Sequence, residues 1–458
     1  MDRWLNILGQ ELRYLLPSRS VREHARATDL VERNRHIDAV PFFWSFLVGT
    51  TQSNGSLAAV QDLYKAFTSD PVAYSSVQQW VTTDLTELLT DICAHISVEL
   101  GRTESALEGR FERFRDVFIS DGTTCTLSAE SFDEFPGLGD NHAGAKLHVI
   151  ESLASRAPIF SSITDARTQE TTQLQIGDWV EDSLLLFDLG YLDYARLARI
   201  ERNGGWFVSR LNVDANPEII DELRTWRGDT IDLEGTYLQE VLPDLYRKII
   251  DSTGTVGADR HDPHLPYDVR VVGVRHEDDE DDHRTAEVDA DHDYHLYATN
   301  LPVDAFAPRE LAALYSNRWS VETVIDELKS VFELDEISVR RKTAVECFMM
   351  AALLMVLVSR YLLRRVRARL GPASQGSVEE ENRIEPVRFS KRIQLFSGDL
   401  LRILAQQLGY GWDGVGFVII EGAIDPNVGR HALTERVAHG SVDPNLRNAG
   451  ELATIRPG

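Results

Sequence analysis

Five short runs between residues 117 and 211 constrain the fold of this chain more than any other feature. They are "VFISDGTTCTL" (117–127), "KLHVIESL" (146–153), "PIFSSIT" (158–164), "SLLLFDLG" (183–190) and "GWFVSRL" (205–211). Each is β-branched or apolar, the pattern of a strand. One helical stretch, "YLDYARLARIERN" (191–203), separates the last two. That alternation predicts a mixed α/β sheet. Two aspartates stand at strand ends: Asp121 follows "VFIS" and precedes Gly122, and Asp188 follows "LLLF" and is followed two residues on by Gly190. A carboxylate at a strand end is held rigidly while its head projects from the sheet edge.

A third carboxylate, Glu322, lies in "YSNRWSVETVIDELKS" (315–330). At about 100° per residue, Tyr315, Arg318, Glu322 and Lys329 fall within roughly 60° of one another on a helix. Val321, Val324, Ile325, Leu328, Val331 and Phe332 gather on the opposite face, which can pack on the sheet. Three converging oxygen donors suit two Mg²⁺ or Mn²⁺ ions.

The chain has 458 residues, and at about 150 residues per domain this predicts three or four units. Cys93, Cys125 and Cys347 are far apart, which argues against a disulfide framework or a zinc module and fits a reducing cytoplasm. The start "MDRWLNILGQELRYLL" lacks a signal peptide's charged region and cleavage site. The most apolar run, "CFMMAALLMVLV" (347–358), is shorter than the roughly 20 residues that span a bilayer. It reads as a buried core helix, with no membrane involved. The net charge of −26 by itself points away from nucleic acid. Yet only six of the 47 basic residues are lysine and the rest are arginine. An acidic, lysine-poor surface is similar to that of proteins from salt-loaded cytoplasms, such as a halophilic archaeon's, where excess carboxylate serves solubility and says little about partners.

Residues 1–105 read as a helical N-terminal unit. One helix is expected over 55–67 with Ser56 as N-cap, and a second over 75–96 capped by Ser75. With Ser76, Gln78 and Gln79 near its start, the pair is compatible with a DNA-binding helix-turn-helix and equally with a plain helical hairpin. The sheet is expected over 106–211 and 301–370, with 212–300 as a β-rich insertion containing strands at 267–275 and 294–301. The insertion's "HEDDEDDHRTAEVDADHD" (276–293) is dense enough in carboxylate and histidine to hold metal, but reads better as a solvated loop. Trp226 in "RTWRG" reads as core packing or as a stacking platform. The arginines of "RYLLRRVRARL" (360–370) are candidates to grip backbone phosphates. Residues 371–458 form a final segment with possible dimerisation or DNA contacts.

Tyr315-x2-Arg318-x3-Glu322-x6-Lys329 resembles the Tyr-Arg-Glu-Lys signature of a large group of insertion-sequence DDE transposases. The surroundings agree: "LYATNLP" before it, Trp319 straight after the arginine, "FDLGY" around Asp188, "FVSRL" on the next strand and "KLH" on the second. The resemblance implies an RNase H-like mixed-sheet catalytic core interrupted by a β-rich insertion, beside a helical N-terminal DNA-binding domain. It implies Asp121, Asp188 and Glu322 as the triad that binds Mg²⁺ (or Mn²⁺). It implies Tyr315, Arg318 and Lys329 as residues that hold phosphates of the transposon end, with Arg210 of "FVSRL" and Trp319 as further DNA contacts. Trp319 matches a tryptophan that helps displace a base when a hairpin end forms. The implied partners are double-stranded DNA, both transposon ends and target, and a second copy of the chain in a synaptic homodimer.

Three activities fit these residues. One is a transposase that binds terminal inverted repeats, cleaves and joins. The second is an RNase H-like nuclease or resolvase without strand transfer. The third is a domesticated DNA-binding protein, which the intact triad and signature argue against.

Overall fold

The computed structural model describes residues 3–31, 38–52, 56–68, 72–102, 107, 109–138, 142–224, 231–258, 262, 264–275, 294–337, 339–370 and 384–406. Trp226, the acidic run 276–293 and most of 371–458 lie outside the described residues.

The strands are β1 (Val117–Leu127), β2 (Ala143–Ser152), β3 (Ala157–Asp165), β4 (Leu184–Phe187), β5 (Trp206–Arg210), β6 (Glu218–Glu222), β7 (Ile249–Val256), β8 (Tyr267–Arg275) and β9 (Tyr294–Thr299). They form one sheet in the order β3-β2-β1-β4-β5-β9-β8-β7-β6. β1, β4 and β5 run parallel, and every other pairing is antiparallel. The expected mixed α/β sheet is therefore present, and the strands after residue 212 extend its edge instead of forming a separate layer.

Strand alternation gives the sheet a core on each face. Val117, Ile119, Leu184, Leu186 and Val208 point to one, and Phe118, Leu185, Phe187 and Phe207 to the other. The second face is covered by α7 (Tyr194–Arg202), the crossover between β4 and β5, through Leu197 and Ile200. Asp193 caps that helix by accepting from the Ala195 amide.

The first face is covered by helices. In the N-terminal region these are α1 (Arg3–Leu15), α2 (Ser18–Ala27), α3 (Ala39–Gln52), α4 (Leu57–Thr68), α5 (Tyr74–Trp80) and α6 (Thr83–Arg102). The single helix expected over 75–96 is thus two. α5 ends at Trp80, and α6 restarts after Val81 and Thr82, where "TTD" supplies the short polar residues that favour helix starts. The residue before α5 is Ala73, with no side-chain cap, so Ser75 lies inside the helix. Ser56 does directly precede α4.

The region 301–370 supplies α9 (Pro308–Ser316), α10 (Trp319–Ser330) and α11 (Lys342–Leu370), after the one-turn α8 (Leu238–Val241). α12 (Pro386–Leu395) and α13 (Ser397–Gln406) follow. α11 is long and apolar enough to cross a membrane, but 94% of its most apolar window is buried inside the fold. Burial, not shortness, marks it as the core helix that the apolar run predicted. It packs against α6, α3, α10 and β3, and shares one continuous core with the N-terminal helices.

The arginines at the end of α11, candidates to grip phosphate, make contacts within the protein, although Arg365 and Arg369 keep part of their side chains at the surface. Arg365 and Arg369 both pair with Glu11 of α1, Arg364 donates to the Leu100 carbonyl, and Arg367 donates to Ile384 O at 2.7 Å. Arg360 pairs with Glu327 of α10, whose side chain is fully buried. Removing one partner of a buried pair leaves the other charge uncompensated, whereas an apolar pair of similar volume is tolerated. Glu327→Gln should therefore destabilise the protein by about 3–5 kcal/mol, and Glu327→Leu with Arg360→Met should recover most of that. Thermal melts of the full chain check both.

Candidate active site

The parallel ladder between β1 and β4 ends at the pair Ser120–Phe187, and that between β4 and β5 at Phe187–Ser209. One residue further on, Asp121, Asp188 and Arg210 stand in a row just past the last parallel pairs. Asp188 follows the end of β4 and Arg210 is the last residue of β5, but Asp121 is not the strand end expected, because β1 runs on to Leu127 with Asp121 opposite Val149 of β2. Each aspartate is steadied by the next backbone amide: Asp121 Oδ1 accepts from the Gly122 amide at 2.7 Å, and Asp188 Oδ1 from the Leu189 amide at 2.8 Å.

The signature stretch is not one helix. Asn317 is buried and donates its Nδ2 to the carbonyls of Ala313 and Leu314 at 3.0 Å, satisfying the end of α9. The chain then tightens: the amides of Arg318, Ser320 and Val321 bond to carbonyls three residues back, across the junction and into the first turn of α10. The four signature side chains still reach the sheet edge from this broken scaffold. Tyr315 Oη donates to Asp188 Oδ1 at 3.2 Å. Arg318 donates from Nη1 to Asp121 Oδ2 at 3.0 Å and from Nη2 to Glu322 Oε1 at 2.9 Å. Lys329 stands further along β1, donating to the Thr124 carbonyl at 3.3 Å and pairing with Asp335. Val321, Val324, Ile325 and Leu328 are buried on the other side, as their spacing predicts.

Trp319 is half exposed at the margin of this cluster. Arg210 is joined to it indirectly, with its guanidinium over the Tyr297 ring, which packs against Tyr315. Its Nη1 lies 2.6 Å from His295 Nδ1. Ser76, Gln78 and Gln79 sit on α5; the two glutamines are exposed, and the Gln78 carbonyl accepts from Arg341.

Other polar residues near the site were not picked out in the sequence. Glu170 pairs with Lys146 at 3.3 Å. His148, cross-strand from Gly122, is hydrogen-bonded to Thr164 and Tyr191, and burial pulls its pKa down to about 4, so the ring is neutral. Buried Glu151 accepts from Ser320. "KLH" was the only local signal for any of these.

Burial pushes the Asp121 carboxyl above its ordinary range; Asp188 and Glu170 add to this, while the Gly122 amide and Arg318 oppose it. Burial likewise raises Glu322, with Asp121 adding and Arg318 opposing. The cluster thus holds its carboxylates at a cost, chiefly of burial, even with Arg318 inside it. Hard oxygen donors in that condition suit divalent cations. Among the described residues, however, no three Asp, Glu, His or Cys side chains are placed to hold an ion as they stand. Between Asp121 and Glu322 the position is taken by the Arg318 guanidinium, whose buried Nε has no partner.

The chain belongs to a family on sequence grounds as well. Residues 112–358, more than half of it, match the family described as the transposase DDE domain, so the chain is a member of that family, and of an enzyme class of nucleotidyl-transferase type. It is 20% identical over 392 residues to the transposase for insertion sequence element IS1151 of Clostridium perfringens, covering 78% of this chain and 81% of that one. A cryo-EM structure of a piggyBac transposase synaptic complex with hairpin DNA aligns loosely with it, at a TM-score of 0.40 and 10% identity, over 95% of this chain and 84% of that one.

The raised Asp121 carboxyl has a consequence for stability. Its folded value lies above its ordinary one, so the ionised form opposes folding at neutral pH. The stability of the protonated form is complete below the ordinary value and is lost as pH rises through the raised one. In chelator, Asp121→Asn should melt higher than wild type at pH 7, and the gap should close as pH falls through the carboxylate range. Melting curves across pH test the sign.

Proposed function

We propose that the protein is an insertion-sequence transposase of the Tyr-Arg-Glu-Lys group, with an RNase H-like catalytic unit, that binds the terminal inverted repeats of its element and carries out metal-dependent cleavage and strand transfer. The observation that carries this reading is the placement of Asp121 and Asp188 side by side past the last β1–β4 pair, with Glu322 tied to Asp121 through Arg318. The β3-β2-β1-β4-β5 order, an antiparallel trio leading into parallel strands, supports the RNase H-like reading. The family's general use of divalent metal ions supports the metal assignment.

Asp121, Asp188 and Glu322 would hold the cations. Two such ions, when bound, would activate water or a 3′-hydroxyl and stabilise the leaving oxygen of a phosphodiester. Arg318 carries out two tasks in sequence: it compensates Asp121 and Glu322 in the metal-free protein, then, once released, offers its planar fork to a phosphate. Tyr315 steadies Asp188. Lys329 adds a positive charge one step along β1, and Arg210 another beside the Tyr297–Tyr315 pair. Half-exposed Trp319 is a platform on which a displaced base can stack. Transposon ends and target are both double-stranded DNA, and we assign the active form to a homodimer in the synaptic complex, in the cytoplasm. The N-terminal helices, with Ser76, Gln78 and Gln79 on α5, are assigned to end recognition. They share a core with α11, so that assignment is tested by substitutions in the full chain.

Asp121→Asn should abolish cleavage of terminal-repeat DNA in Mg²⁺ and leave end binding nearly intact. Wild-type cleavage by that variant would remove the triad assignment, and cleavage without joining by the native protein would make it a nuclease of the same fold.

The acidic, lysine-poor surface supports a salt-rich cytoplasm of the halophilic archaeal kind, where screening weakens phosphate contacts. Recognition must then lean on bidentate arginines, base-edge contacts and stacking. Affinity for end DNA should persist into molar KCl while non-specific affinity is lost, and Arg318→Lys should cost more at high salt than at low. A KCl titration of both proteins would contradict this if the two affinities fell equally steeply.

A further inference from the structure

Glycines follow both aspartates, Gly122 directly after Asp121 within β1 and Gly190 two residues after Asp188. Neither is among the positive-φ glycines, Gly204, Gly235 and Gly257, so backbone conformation does not explain them. Space does. A Cβ on Gly190 would lie 2.5 Å from Glu170 Oε2, and one on Gly122 would lie 3.4 Å from Glu170 Oε1 and 3.1 Å from Tyr191 Oη. The carboxylate of Glu170 therefore lies against Gly190, in the turn after Asp188, and within contact distance of Gly122 on β1. Lys146 on β2 holds it there, with Nζ 3.3 Å from Oε1, and also donates to the Thr168 carbonyl at 3.4 Å.

Resting on the transposase reading above, we propose that Glu170, clamped by Lys146, is a positioning residue of the catalytic site. It sets the turn after Asp188 against β1 at Asp121 and adds negative charge that draws in the divalent cations. Packing alone does not account for a glutamate here. A third carboxylate beside two others works against folding, and a glutamine would fill the same space without that repulsion. Lys146 offsets the charge only in part and from one side, leaving Oε2 turned toward Gly190. Carboxylates that support metal ligands without being ligands commonly set the ligands' orientation and the local field.

The test uses the full chain and Mn²⁺ as the probe, with bound Mn²⁺ read by electron paramagnetic resonance and with Asp121→Asn as the reference for loss of the site. Glu170→Gln should keep or raise the melting temperature. It should weaken Mn²⁺ binding at the Asp121-dependent site by roughly tenfold, and raise the Mg²⁺ concentration for half-maximal end cleavage in parallel. Glu170→Asp, which keeps the charge, should recover part of both. Gly190→Ala, which drives a methyl into Oε2, should reproduce the metal defect. If Glu170→Gln and Gly190→Ala bind Mn²⁺ as the native protein does while Asp121→Asn does not, Glu170 only fills space and the inference is overturned with the transposase reading intact. If Asp121→Asn itself retains native Mn²⁺ binding, the metal-site reading falls, and this inference with it.

Discussion

The four-residue parallel ladder between β1 and β4 is the constraint on which the site depends. It ends at Ser120–Phe187, and the next residue on each chain is an aspartate: Asp188 leaves the sheet there, while Asp121 stays in β1 opposite Val149. β1 goes on beyond that point, paired only with β2, and its free edge there is where α10 and Lys329 come in. A slip of one residue in this ladder would turn every side chain of β4 over. It would send Leu185 and Phe187 into the wrong core and Asp188 away from Asp121. The two cores, one on each face, hold the register and so hold the site.

The site is built against its own electrostatics. Asp121, Glu322 and Glu170 are brought together at the cost of burial and like-charge repulsion; the Gly122 amide and Arg318 compensate Asp121, Arg318 compensates Glu322, and Lys146 pairs with Glu170. A fold selected only for stability would avoid this. Arg318 makes it tolerable without cation, because its fork reaches two carboxylates at once in a way that a lysine's point charge does not. Elsewhere the chain uses arginine in the same manner for architecture. Arg360 with Glu327, Arg365 and Arg369 with Glu11, and Arg270 with Asp251 tie helices and strands together at buried or half-buried positions. In "RYLLRRVRARL" the arginines therefore serve the helix packing, with Arg360 buried and Arg365 and Arg369 partly at the surface.

Much of the fold was legible in the sequence. β1 and β8 span 117–127 and 267–275 as their β-branched runs predict, and the apolar face of α10 is buried residue by residue. These readings succeed because side-chain periodicity and apolar content are local properties that a strand or helix must satisfy wherever it packs. The two expected helices that broke, at Val81–Thr82 and at Asn317–Arg318, did so for reasons only partly local. "TTD" was readable as a helix start, but Asn317 ends α9 through its own side-chain bonds, a choice that propensity alone leaves open.

The sequence by itself thus determined the strands, the buried helix and the residue types of the signature, together with the family to which they belong. Which of these groups meet was decided by tertiary structure alone. The register of β1 on β4 put Asp121 beside Asp188. The tight turn at Arg318 gave one guanidinium to two carboxylates, and Gly190 made room for Glu170. Those contacts join residues far apart in the chain, and nothing in local pattern encodes a distance across a sheet. A carboxylate such as Glu170, in a polar stretch with no periodicity, acquires its meaning only from the neighbours that folding brings to it.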